Sequence, residues 1–163
     1  MSVKVFFIVV LFFATIASSE LTLAILKPNL LSNGGRNETM DVIHDNGLKV
    51  ILSKKHHLNR QSATAFYREH VGKEFFNDLI NFITEQEVEF LVLSAPNAIK
   101  RWRHLLGPTN PSEAKLTHPN SIRARFGESV TRNAAHGSDS LYSAYREIKL
   151  VFPQLSVWLE YFL

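Results

Sequence analysis

The residues best suited to chemistry lie together in Thr131-Arg132-Asn133-Ala134-Ala135-His136-Gly137-Ser138-Asp139-Ser140. His136 is flanked by alanine and glycine, so little bulk covers its ring. A neutral imidazole is a competent nucleophile at physiological pH. Ser138, Asp139 and Ser140 are all good helix N-caps, and the turn that follows leaves free backbone N–H groups that favour an anion. Leu141 to Phe152 carries a helical pattern that includes Glu147, eleven residues or about three helical turns beyond His136. Glu147 would hold one ring nitrogen while the other attacks phosphorus. The plainer alternative is a loop histidine ahead of an ordinary capped helix.

The elements that must position this stretch can be read in order. Leu21 to Leu26 is a buried strand that stops at Lys27-Pro28, leaving a lysine at the strand end. Leu30 to Asp45 is a weak helical region, because Asn33-Gly34-Gly35 opposes helix and Met40, Val42 and Ile43 form only a thin stripe. Asn46-Gly47 turns into a strand at Leu48 to Leu52. Helices are predicted at Ser62 to His70 and Lys73 to Thr84, and an inner strand at Val88 to Leu93. A helix at Ala98 to Leu106 bears Arg101 and Arg103. Gly107 to Asn120 reads as a proline-punctuated loop, and Ser121 to Phe126 as a short turn displaying Arg123 and Arg125. The order predicts an α+β, ferredoxin-like sandwich: a mostly antiparallel four-stranded sheet with helices packed on it.

Met1 to Ser19 stands apart from this single domain, which spans 20–163. Lys4 precedes an unbroken apolar run, Val5 to Ala17, and Ala17-Ser18-Ser19 offers small residues for cleavage. This is the anatomy of a secretory signal, too short for a comfortable transmembrane anchor and without the arginines of a mitochondrial presequence. In that route Asn37-Glu38-Thr39 would be a glycosylation sequon.

The chain has no cysteine, which excludes disulfides, thiolate metal sites and a cysteine nucleophile. Its net charge of +3 suits a polyanionic ligand without specifying one. Lys27, Arg103, Thr109, Arg123, Asn133 and His136 fall at element ends, where ligands are usually held. Three cations around one histidine would suit a triphosphate, because phosphoryl transfer depends largely on positioning and electrostatics. Neither a P-loop nor a protein-kinase motif set is present.

Asn133-Ala134-Ala135-His136-Gly137-Ser138-Asp139-Ser140, with Lys27-Pro28 and the spacing of Tyr67, Phe75, Arg103, Thr109 and Arg123, resembles the nucleoside diphosphate kinases from Leu21 to about Pro153. The stretches Phe66 to His70, Trp102 to Thr109 and Ser121 to Arg123, and a lengthened loop from Thr109 to Arg123, are most similar to the branch called nucleoside diphosphate kinase 6. The resemblance implies ping-pong transfer of the γ-phosphate from a nucleoside triphosphate to a diphosphate through phosphorylated His136. It implies Lys27 and Tyr67 at the transferred phosphate, Arg103, Thr109 and Arg123 on the distal phosphates, and Asn133 on the sugar 3′-hydroxyl. Phe75 would stack on the base with Val130 on its other face, while Ser138 and Glu147 orient the histidine. Mg²⁺ would ride on the phosphates and not on protein ligands, and a homo-oligomer is expected.

Each role has a rival. Phe75 shares a stripe with Leu79 and would also serve as core, Tyr67 would be a satisfied core tyrosine, and Glu147 a solvated helix residue. His56, His57, His104 and His118 read as surface residues. The family usually has aspartate at Asn29, a richer helix over 33–46 and a longer segment after Pro153. The alternative function is a catalytically weak member acting as a nucleotide-binding or regulatory subunit. Nucleic-acid binding finds no motif, and no stable membrane anchor is expected. The leader points to export, whereas the resemblance points to cytoplasm or mitochondrion.

Overall fold

The computed structural model describes residues 19–155, so the predicted leader lies outside the described residues except for Ser19. The apolar run after Ser19 forms β1 (Glu20–Leu26), which lies inside a four-stranded sheet. β2 (Lys49–His56), β3 (Val88–Ala95) and β4 (Ala135–Gly137) complete the order β2-β3-β1-β4. Every pairing is antiparallel. The fold is the predicted ferredoxin-like sandwich, with helices covering both faces of the sheet.

The two faces follow from strand alternation. Leu23 and Ile25 of β1 join Phe90 and Val92 of β3 in one core, together with Phe66, Tyr67, Ile80 and Ile148. Ala24 and Leu26 join Leu91, Leu93, Trp102, Leu106 and Ile122 in the other. Both inner strands are therefore buried on both sides, whereas β2 is an edge strand with most side chains exposed. A register shift between Val50 and Leu52 gives β2 one irregular residue, Ile51, which is exposed.

Pro28 opens α1 (Pro28–Ser32) at a position where its missing N–H costs nothing. Asn33 to Gly35 separate it from α2 (Arg36–Asp45), with Gly34 at φ 71°, which a side chain would strain. The glycines thus make a tight turn between two helices, and the region read as weak holds Leu30 and Ile43 fully in the core. α3 (Arg60–Phe66) starts earlier than predicted because the Asn59 side chain accepts from Ser62 N. A 3₁₀ turn, Arg68–His70, replaces its predicted last turn, and α4 (Phe76–Ile83) begins after Lys73.

α5 (Ala98–Leu106) matches its predicted limits. The predicted loop over 107–120 contains α6 (Pro111–Thr117), started by the Asn110 cap and Pro111 at its first turn. Only Pro111 and Ala114 of α6 are buried, so it has no apolar stripe to signal it. α7 (Ile122–Phe126) is capped by Ser121, and α8 (Leu141–Val151) by Ser140, whose hydroxyl accepts from Ser143 N. Pro153 ends α8 in a 3₁₀ turn. Among the described residues no helix is long and apolar enough to cross a membrane.

Candidate active site

β4 sets His136. It pairs opposite Ile25, so its side chain leaves the sheet on the Ile25 side, towards Phe66, Tyr67 and α8. Gly137 lies opposite Ala24 on the other side, where an added Cβ would come 2.5 Å from Trp102 Cδ1. The glycine beside the histidine is thus required by packing, and Trp102 Nε1 donates to His136 O at 2.9 Å. Immediately before the strand, Ala134 is fully buried at φ 70°. A non-glycine residue pays about 1–2 kcal/mol for that conformation. Lys27 N donates to Ala134 O at 2.9 Å and helps hold it.

His136 Nε2 is 3.0 Å from Glu147 Oε2. Ser138 Oγ donates to the same oxygen at 2.8 Å and accepts from Leu23 N at 3.1 Å. Glu147 is 3% exposed, which removes the solvated-helix alternative. A carboxylate oxygen is an acceptor only, so a neutral imidazole here carries its proton on Nε2 and leaves Nδ1 unprotonated. The Phe66 ring meets the imidazole edge-on, with centroids 5.4 Å apart, and limits its tilt.

His136 opens into a cleft of about 300 Å³. Lys27, Tyr67, Phe75, Arg103, Thr109, Arg123, Val130, Asn133 and Glu147 line the same cleft. Ser138 alone of the predicted site residues stands behind it, against Glu147. Phe75 is 43% exposed and Val130 55%, so Phe75 is a wall of the cleft and not core. Asn133 Nδ2 donates weakly to Thr109 O at 3.4 Å, tying the two sides of the cleft.

The cations are poorly compensated. Among the described residues, Lys27, Arg103 and Arg123 enter no ion pair with a carboxylate. Lys27 Nζ donates to Asn133 Oδ1 at 2.8 Å and to Thr131 O at 3.3 Å. Burial, and then the neighbouring Arg123 charge, lower its pKa to about 7. Arg123 donates to Gly107 O and Ala135 O, and burial brings its pKa down to about 10. Tyr67 Oη is buried without a partner, so it is not a satisfied core tyrosine. Burial and then Glu147 push its pKa up, keeping it a proton donor. Unpaired cations and an orphan hydroxyl form a site complementary to an anion.

Asn29 is buried and its amide donates to Phe126 O at 2.9 Å and Arg132 O at 3.1 Å. An ionised aspartate could make neither bond. Residues of the cleft that sequence reasoning left without a role include Phe66, Glu69, His70 and Arg146. Burial first, then Lys73, lowers the pKa of His70, whose ring stacks against Tyr67. His56, His57, His104 and His118 are exposed as expected.

The sequence signature and the geometry meet in one family. The family model described as nucleoside diphosphate kinase matches residues 20–157. The chain belongs to the nucleoside diphosphate kinase family. It is 41% identical over 138 residues to the nucleoside diphosphate kinase of Nitratiruptor sp., covering 85% of this chain and 98% of that one. It is 38% identical over 138 residues to thioredoxin domain-containing protein 6 of Xenopus laevis, again over 85% of this chain but only 22% of that longer protein. The solved nucleoside diphosphate kinase of Aquifex aeolicus superposes with a TM-score of 0.82 at 37% identity, over 85% of this chain and 98% of that one. The chain thus shares its fold with a solved nucleoside diphosphate kinase.

Proposed function

We propose that this member is an active nucleoside diphosphate kinase working through phosphorylated His136. The observation that carries the reading is the His136–Glu147 contact, with Nε2 held 3.0 Å from Oε2 beside three unpaired cations. In the first half-reaction, Nδ1 forms a bond to the γ-phosphorus as the bond to the β–γ bridging oxygen breaks, and nucleoside diphosphate leaves. In the second, a terminal oxygen of another diphosphate forms the new P–O bond while the P–Nδ1 bond breaks. The imidazole gains positive charge when Nδ1 bonds phosphorus, and Glu147 stabilises that charge.

Lys27 and the Tyr67 hydroxyl serve the transferred phosphate. Arg103, Arg123 and Thr109 hold the phosphates behind it, and Asn133 bonds the sugar 3′-hydroxyl. Phe75 and Val130 take the base between apolar surfaces, which gives affinity with little discrimination among bases. Mg²⁺ belongs to the substrate in this reading. Among the described residues no group of three or more His, Cys, Asp or Glu side chains could hold a metal ion, and the phosphates and water supply its ligands.

Within the family we infer the nucleoside diphosphate kinase 6 branch, on the stretches Phe66 to His70 and Trp102 to Thr109 and on the longer loop that carries α6. Met1 to Ser19 is read as a secretory signal preceding the kinase domain. The activity is tested by brief exposure to γ-labelled ATP: an acid-labile, base-stable phosphoprotein that discharges onto added nucleoside diphosphate supports catalysis. Nucleotide binding without a phosphoprotein would identify a regulatory subunit instead.

A further inference from the structure

Arg146 lines the cleft, yet its surroundings differ from those of the other cations there. Its side chain is 13% exposed, each terminal nitrogen has a partner, and Nε is buried without one. Nη1 donates to Phe66 O at 3.1 Å, the last carbonyl of α3. Nη2 lies 3.4 Å from Glu147 Oε1 and 3.3 Å from Glu69 Oε1. Two carboxylates therefore share its charge, whereas among the described residues Lys27, Arg103 and Arg123 form no ion pair, the nearest acidic influence being that of Asp139 on Arg103.

The partners of Arg146 converge on the histidine from two sides. Glu147 presents Oε2 to His136 Nε2 while Arg146 holds Oε1, so the carboxylate is pinned at both ends. Phe66, whose carbonyl Arg146 holds, lays its ring edge-on against the same imidazole. Without Arg146, Oε2 keeps only Ser138 as a second anchor, and the carboxylate can rotate about its own axis. The end of α3 also loses its tie to α8.

We propose that Arg146 is a positioning residue that fixes the tautomer and tilt of His136 by clamping Glu147 and the Phe66 end of α3 together. It acts through these partners and does not hold phosphate. The inference rests on the reading of His136 as the nucleophile, but its geometry can be tested without nucleotide. A residue that sets which nitrogen carries the proton also sets which nitrogen accepts phosphate.

The experiment compares the full-length protein with Arg146→Met by ¹⁵N NMR of the His136 ring, and then locates phosphate on the ring after exposure to ATP. The wild type should show one tautomer, protonated at Nε2, and phosphate on Nδ1 alone. In Arg146→Met both tautomers should appear, phosphate should reach both nitrogens, and kcat should fall about tenfold while KM stays within about twofold. An unchanged single tautomer and phosphate isomer in the variant would overturn the proposal. So would a rise in KM alone, which would make Arg146 a phosphate ligand. Arg146→Lys keeps the charge but cannot reach all three partners, and should be intermediate by both readouts. If Arg146→Met does not fold, that variant decides, with wild-type behaviour refuting the clamp. A tautomer change in a protein that takes no phosphate from ATP would uphold the clamp while rejecting the kinase reading.

Discussion

Glu147 holds His136 by a single nitrogen, Oε2 to Nε2 at 3.0 Å, across 11 residues of sequence and a helix cap. The strand β4 fixes one partner and the helix α8 the other, so the contact is a property of the fold. Glu147→Gln keeps the shape but removes the charge that stabilises a phosphorylated imidazole. Losing such a charge-assisted bond costs about 1.5–3 kcal/mol, or roughly one to two decades in the phosphorylation rate. Rapid-quench kinetics should show that loss with nucleotide affinity almost unchanged.

Arg103 and Arg123 should separate catalysis from stability. Arg103 makes one long bond, 3.3 Å to Gly137 O, and is exposed. Arg123 is 7% exposed and donates to two carbonyls, Gly107 O and Ala135 O. Both alanine variants should weaken nucleotide use by about one to two decades. Only Arg123→Ala should also unfold more easily, by about 1–3 kcal/mol for the acceptors left unpaired. Denaturant titration beside steady-state kinetics checks the split, and equal melting of the two variants would count against it.

Lys27 gives the site a pH dependence with a definite sign. Its pKa falls from 10.5 in the free residue to about 7 in the fold, first because of burial and then Arg123. Between those values the unfolded chain binds the extra proton, so this group makes stability rise with pH across that window and costs most below it. Bound phosphate favours the protonated lysine, so affinity should fall as pH rises through about 7, and binding above it should take up a proton. Calorimetry at about pH 8 in buffers of different ionisation enthalpy reads that uptake directly. Lys27→Met should lose the Lys27 part of it, and an identical uptake in that variant would assign the proton elsewhere.

Gly137 is confined by Trp102. An alanine Cβ would stand 2.5 Å from Cδ1 and 2.8 Å from Nε1 of the indole. Gly137→Ala should destabilise by about 1–3 kcal/mol through overpacking and lower the melting temperature. A variant as stable as the parent would mean that β4 and α5 can separate at little cost.

The leader predicts export. β1 begins at Glu20, so cleavage after Ser19 would leave the sheet whole. Asn37 is exposed on α2, while the hydroxyl of Thr39 is buried and donates to Gly35 O at 2.8 Å. Glycosylation of this sequon would therefore have to precede folding. Expression in eukaryotic cells followed by endoglycosidase digestion should give a mobility shift. Full-length protein that does not shift and is recovered from cytosol or mitochondria would rule the export reading out.

Long apolar runs and punctuating residues made most of the fold legible. Leu21 to Leu26 ended by Lys27-Pro28, and Ala98 to Leu106 ended by Gly107, match elements of the structure closely. α6 was hidden because a helix with only Pro111 and Ala114 buried has no periodic stripe to detect. The Asn110-Pro111 pair was the signal available, a cap followed by proline at the first turn. In the site, the residue types around His136 were readable, and family spacing added Tyr67, Phe75 and Thr109. The role of Arg146 was not readable, since its contacts with Phe66 O and Glu69 depend on how α8 packs against the end of α3. Nor does the sequence show why an amide stands at position 29, since the two bonds Asn29 donates exist only because the loop carbonyls of Phe126 and Arg132 converge on it.

The central claim is that His136 accepts phosphate on Nδ1. The most direct measurement is mass-spectrometric and ³¹P NMR mapping of the protein after seconds of contact with ATP and magnesium. The account predicts one acid-labile phosphate on Nδ1 of His136, removed by added nucleoside diphosphate and absent from His136→Ala. Phosphate on another residue, or His136→Ala exchanging phosphate at the parental rate, would contradict it.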